Sequence, residues 1–139
     1  MKTQRLYAAL ALGAMLAAPL GAITPRATLG AALAGSNETA AGDADGTGSF
    51  SAVIDADAGQ LCYKLTAGNI APATMAHIHS GAAGANGPPV ATIELTENRC
   101  MAVDPAVLQA IVAAPGNYYV NVHNAEFPAG AIRGQLSAG

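Results

Sequence analysis

From residue 27 onward the chain alternates apolar and polar positions in short runs, each closed by a cluster of Gly, Asp, Asn or Pro. Period-two alternation over runs of this length buries one side of a segment and leaves the other outside, which is the pattern of β-strands. Seven strands are predicted, over 28–34, 48–54, 60–66, 75–79, 90–95, 118–123 and 131–136. Asp55-Ala56-Asp57-Ala58-Gly59 is the expected turn between the second and third, with Gly59 supplying a positive φ and Asp bonding its own backbone. One helix interrupts the strands over 104–114. Asp104 suits the N-cap and Pro105 the first helical position, and Val107, Leu108, Ile111 and Val112 share a face before Pro115-Gly116 stops it. Two to three turns is the right length for a lid over one end of a β-sandwich, so the expectation is an all-β domain of about 7–8 strands with one short helix.

The strand faces agree with one another. Ala76 and Ile78 alternate with His77 and His79; Tyr118, Val120 and Val122 alternate with Tyr119, Asn121 and His123; Ile132, Gly134 and Leu136 alternate with Arg133 and Gln135. All 3 histidines of the chain thus fall on polar faces, and a site built from them is expected outside the core. Side chains at i and i+2 of a strand point the same way, so His77 and His79 can aim at one point, with His123 as a third donor. Three imidazoles leave an open coordination position, and copper outranks zinc in affinity among first-row divalent ions. The expected metal ligands are therefore His77, His79 and His123, with copper favoured and Met75, on the same strand face, as a further soft donor for Cu(I). The competing reading is that neutral imidazoles, which donate and accept at once, brace the 81–88 loop. Tyr119, Asn121 and Arg133 are candidates for supporting positions around the histidines. Arg133 is expected to pair with Glu126 or Asn121, or to guide anions to a metal.

Composition narrows the setting. Lys2 and Arg5 precede an apolar run, residues 6–20, that ends in small residues, the layout of a secretory signal peptide over about residues 1–23. Its apolar core is short for a membrane anchor, and no later stretch is long enough to span a bilayer, so no membrane insertion is expected after cleavage. The remainder holds four basic residues against nine acidic ones, a net charge of −5, which excludes nucleic acid as a partner on electrostatic grounds. A periplasmic or secreted location follows. There, two cysteines are more often paired than reactive, and a Cys62–Cys100 disulfide would brace the part of the domain presenting His77 and His79. A thiolate metal site would need closer spacing or more cysteines.

Four ordered segments carry a family resemblance: Ala76-His77-Ile78-His79-Ser80-Gly81, Gly84-Ala85-Asn86-Gly87-Pro88, Tyr119-Val120-Asn121-Val122-His123, and Pro128-Ala129-Gly130-Ala131-Ile132-Arg133-Gly134-Gln135-Leu136. The chain resembles the CHRD domain family over about residues 27–137. That resemblance implies an extracytoplasmic, immunoglobulin-like Greek-key β-sandwich, with no settled activity for microbial members. Ala131 departs from the Gly-Glu-Ile-Arg-Gly pattern of many members, so any role of that glutamate is missing. More distantly, the paired histidines, a later histidine and a trailing Gly/Arg strand resemble the copper face of Cu/Zn superoxide dismutases, which need further histidines and an aspartate.

Other chemistries fail on inspection. Asp43-Ala44-Asp45-Gly46 and Asp55-Ala56-Asp57 lack the trailing glutamate of a calcium loop and are read as turns. The 81–87 stretch has no lysine for phosphate, and no nucleophile arrangement is present. Asn37-Glu38-Thr39 fits a glycosylation acceptor. The expected function is a binding module rather than an enzyme, handling a transition metal with a protein or metal-handling partner of unknown identity. The alternative is a non-catalytic structural or protein-interaction domain of the cell exterior, and superoxide dismutase-like activity is a weaker third.

Overall fold

In the computed structural model, residues 26–139 are described, and the expected leader lies outside them. Nine strands, β1 (Ala27–Ala34), β2 (Thr47–Asp55), β3 (Gln60–Gly68), β4 (Ala73–Ser80), β5 (Pro89–Ile93), β6 (Asn98–Ala102), β7 (Tyr118–Asn124), β8 (Ile132–Gln135) and β9 (Ser137–Ala138), form an antiparallel sheet in the order β5-β4-β7-β8-β1-β2-β3-β6, with β9 beside β1. Seven of these are the predicted strands. The additional two are β6, where only Met101 of the five residues is shielded, and β9, two exposed residues long. Neither offers the apolar alternation from which a strand is recognised.

The sheet divides into two four-stranded halves that meet at the single β1–β8 pair Ala34↔Arg133. β8 and β9 make one extended stretch that changes partner around Leu136, pairing first with β7 and then with β1. A strand that passes from one layer to the next makes the corner of a sandwich. The outermost strands of the path, β5 and β6, are consecutive in the chain with only residues 94–97 between them, which draws the two edges together.

Inward faces of both halves fill one core. Leu29, Phe50, Ile54 and Leu61 come from one side and Ile78, Val120, Val122 and Ile132 from the other, all at 3% exposure or less. Burying each such side chain contributes about 1.5–3 kcal/mol. Helix α1 (Pro105–Ala113) starts as expected, the Asp104 carboxylate accepting from the Ala106 N–H at 2.8 Å with Pro105 following, and it places Leu108 and Ile111 in the same core. The Asp55 turn also forms as expected: its Oδ1 accepts from Ala58 N–H at 3.0 Å, and Gly59 has φ +64°.

Cys62 and Cys100 form a disulfide, directly opposed on β3 and β6. They point away from the core, since Leu61 and Tyr63 on either side of Cys62 are buried. The bond does not brace the histidine strands as expected. It ties the β3–β6 end of the sheet path, whereas β4 and β7 lie in the other half. Enclosing His77 and His79 within the loop of sequence does not put the crosslink beside them. Among the described residues no helix is long and apolar enough to cross a membrane.

Candidate metal centre

Strands β4 and β7 are adjacent, and their register opposes Met75 to His123, His77 to Asn121 and His79 to Tyr119. β8 extends two of these rows, setting Arg133 beside Asn121 and Gln135 beside Tyr119. With Ala76, Ile78, Val120 and Val122 turned into the core, this whole lattice faces outward. The three histidines named from the sequence converge there: one ring nitrogen from each of His77, His79 and His123 lies within 4.8 Å of the others. An ion held about 2.0–2.1 Å from each nitrogen would set them roughly 3.3–3.6 Å apart, so side-chain shifts of about 1 Å close the cluster on a metal.

Backbone carbonyls orient two of the rings. His79 Nδ1 is 2.9 Å from the Gly87 carbonyl and His123 Nδ1 is 3.0 Å from the Pro128 carbonyl. A carbonyl only accepts, so both Nδ1 atoms carry the proton and both Nε2 atoms keep a lone pair. His123 Nε2 accepts from His77 Nδ1 at 3.3 Å, whereas His79 Nε2 is buried and has no hydrogen-bond partner among the described residues. Burial lowers the pKa of His79, against its bond to Gly87 and with the help of nearby positive charge; burial likewise lowers that of His123. Both rings are therefore held in the neutral form that ligates metals.

The polar face is not open to solvent as expected from strand alternation alone. The segment after β1, the 81–88 loop and residues 128–130 fold over it, leaving Tyr119, Asn121, His123 and Arg133 all below 9% exposure. Gly87 and Gly130 permit this close cover. A Cβ on Gly87 would overlap the Ser80 carbonyl, and one on Gly130, whose φ is +143°, would strike Glu38 and Asn121.

Arg133 does not bond Glu126 or Asn121. It donates to Asn86 Oδ1 at 3.0 Å and to the Ala85 carbonyl, and its guanidinium lies 3.4 Å from the centroid of the Tyr119 ring. Tyr119 stacks on His79 at 4.9 Å with the rings 6° from parallel, and its hydroxyl accepts from the Gly87 N–H at 3.2 Å. Arg133 and Tyr119 thus converge on the loop whose Gly87 carbonyl fixes His79. In place of the expected pairing, the guanidinium is buried and its donors are taken up by Asn86 and by loop carbonyls.

Glu38 is the site residue that sequence reasoning missed. Its carboxylate accepts from Asn121 Nδ2, and burial raises its pKa to about 7 against the pull of Arg133 and of that hydrogen bond. It adjoins a 180 Å³ cavity lined by His79, Tyr119, Asn121 and Arg133 among others. Its only sequence signal was its place in the Asn37-Glu38-Thr39 triplet. Asn37 in turn donates its amide to the Arg133 carbonyl at 3.0 Å.

The family model of the CHRD domain matches residues 29–136, most of the chain. No curated protein and no solved structure matches.

Proposed function

This chain belongs to the CHRD domain family, and on that premise we propose that it is an exported binding module holding one transition-metal ion, copper in preference to zinc, on His77, His79 and His123. The observation that carries this reading is His79 Nε2, a buried lone pair without a partner among the described residues, on a ring that clusters with two further imidazoles. Buried polar atoms left unpaired are costly, by about 1–3 kcal/mol, and a metal would remove that cost here. Carbonyl-anchored Nδ1 atoms on His79 and His123 support the same reading, because ligating histidines usually donate their second nitrogen to such a group. Loading exchanges the His77–His123 hydrogen bond for coordination; where His77 ligates through Nδ1, its proton moves to Nε2.

Export is supported by the predicted leader and by the Cys62–Cys100 disulfide, which persists in an oxidising compartment such as the periplasm or cell exterior. Binding rather than turnover is favoured because the chain's 3 histidines are all spent on one centre, with none for the second metal of a superoxide dismutase-like site.

Isothermal titration of metal-stripped protein with Cu(II), and with Cu(I) under anaerobic reductant, tests the proposal. One-to-one binding that disappears in the His77→Ala/His79→Ala variant, with its circular dichroism unchanged, is the expected result. A folded wild type that binds neither ion overturns it and leaves the histidines as braces for the 81–88 and 128–130 segments.

A further inference from the structure

Met75 is one of three large apolar side chains left exposed among the described residues, at 49%. It stands directly opposite His123 on the neighbouring strand and two residues before His77 on its own. Directly opposed residues on one face of an antiparallel pair have Cβ atoms about 4.5–5.5 Å apart, within the reach of a flexible thioether. His77 and His123 are already in contact through Nδ1 and Nε2, so Met75 occupies the corner beside that contact. The remaining sides are closed differently: Gly87 and Tyr119 cover His79, and Pro128 caps His123 Nδ1. An exposed methionine gains little by packing at this corner, and its register puts it on the strand face that carries the histidines.

Resting on the three-histidine reading, we propose that Met75 is the solvent-facing fourth donor of this centre and makes it a copper(I) site that loads and unloads from the Met75 side. Thioether sulfur is a soft ligand that suits Cu(I) and adds little for Zn(II), which the imidazoles alone serve. Met75 therefore sets which ion the site prefers, whereas the histidines set whether it binds one at all. Because the Met75 side chain is half-exposed, an incoming or departing Cu(I) can stay bound to its sulfur while the bonds to the less accessible imidazoles are made or released one by one.

Met75→Leu tests this, since the near-isosteric change removes sulfur at a half-exposed position and leaves the core untouched. Metal-stripped wild type, Met75→Leu and His77→Ala/His79→Ala are titrated with Cu(I) against a bicinchoninate competitor without oxygen, and separately with Zn(II). Cu(I) affinity is expected to fall at least about tenfold in Met75→Leu with Zn(II) affinity unchanged. X-ray absorption of the Cu(I) wild type should show one sulfur among nitrogen neighbours, lost in the variant. Nitrogen-only coordination in the wild type, or equal Cu(I) affinity in Met75→Leu, overturns the role of Met75 and leaves the three-histidine site standing. A wild type that binds neither ion overturns both.

Discussion

Gly130→Ala is expected to destabilise this domain, and its cost divides into two parts. With φ at +143°, the residue sits where a side chain is strained whatever the surrounding space, at about 1–3 kcal/mol. The added Cβ would also stand closer than 3.0 Å to both Glu38 Oε1 and Asn121 Nδ2. That separates a carboxylate from the amide of a residue only 3% exposed, and breaking a hydrogen bond to a charged group costs about 1.5–3 kcal/mol. The sum, roughly 2.5–6 kcal/mol, is a large share of the 5–15 kcal/mol typical of a small domain. Urea unfolding followed by far-ultraviolet circular dichroism gives the value directly, and the Glu38→Ala background separates the parts. There the bond is already gone, so Gly130→Ala should cost only the backbone share. A loss below about 1 kcal/mol in the wild-type background, or none in Glu38→Ala, would refute this account of how the loop sits on the polar face.

Reducing the Cys62–Cys100 bond, or replacing both with Ser, should lower stability by up to about 4 kcal/mol on the loop-entropy model, while leaving metal affinity within about twofold because the crosslink lies in the other half of the sheet; a collapse of metal binding in a still-folded variant would contradict that separation. Glu38 should give the domain a pH-dependent term. Its folded pKa of about 7 lies above the usual 4.5, so between those values the folded state holds the extra proton and stability falls as pH rises. The lowered pKa values of His79 and His123 act oppositely, stability from them rising as pH climbs toward the usual imidazole value. Glu38→Gln should therefore remove the first trend and leave the second, as read from urea midpoints between pH 4.5 and pH 7.5; an unchanged profile would place the titration elsewhere.

Local pattern was enough for the seven regular strands, the helix cap at Asp104 and the outward facing of His77 and His79, because each depends on residues a few positions apart. Convergence of His123 with them needed the β4–β7 pairing, which the matched polar faces suggested but only the register of Met75 against His123 specifies. What could not be read was the cover over that face. Glu38 reaches Asn121 across 83 positions and Arg133 reaches Asn86 across 47. Neither contact leaves a periodic trace, so an outward face was expected to be a wet one. The same reasoning put Glu126 next to Arg133, since a carboxylate nearby in sequence is the visible candidate, whereas the fold supplies loop carbonyls from farther away.

The pairing of β9 with β1 has a consequence for how this domain can be carried. Gly139 donates its N–H to the Thr28 carbonyl at 2.8 Å, so the last residue lies against the second residue of the first strand. Entry to and exit from the fold are thus a single point, remote in the strand order from the edge where β4 and β5 lie. A unit whose two ends touch can be hung from a surface loop of a host protein like a pendant, or cut and rejoined in a new order, without prising open its interior.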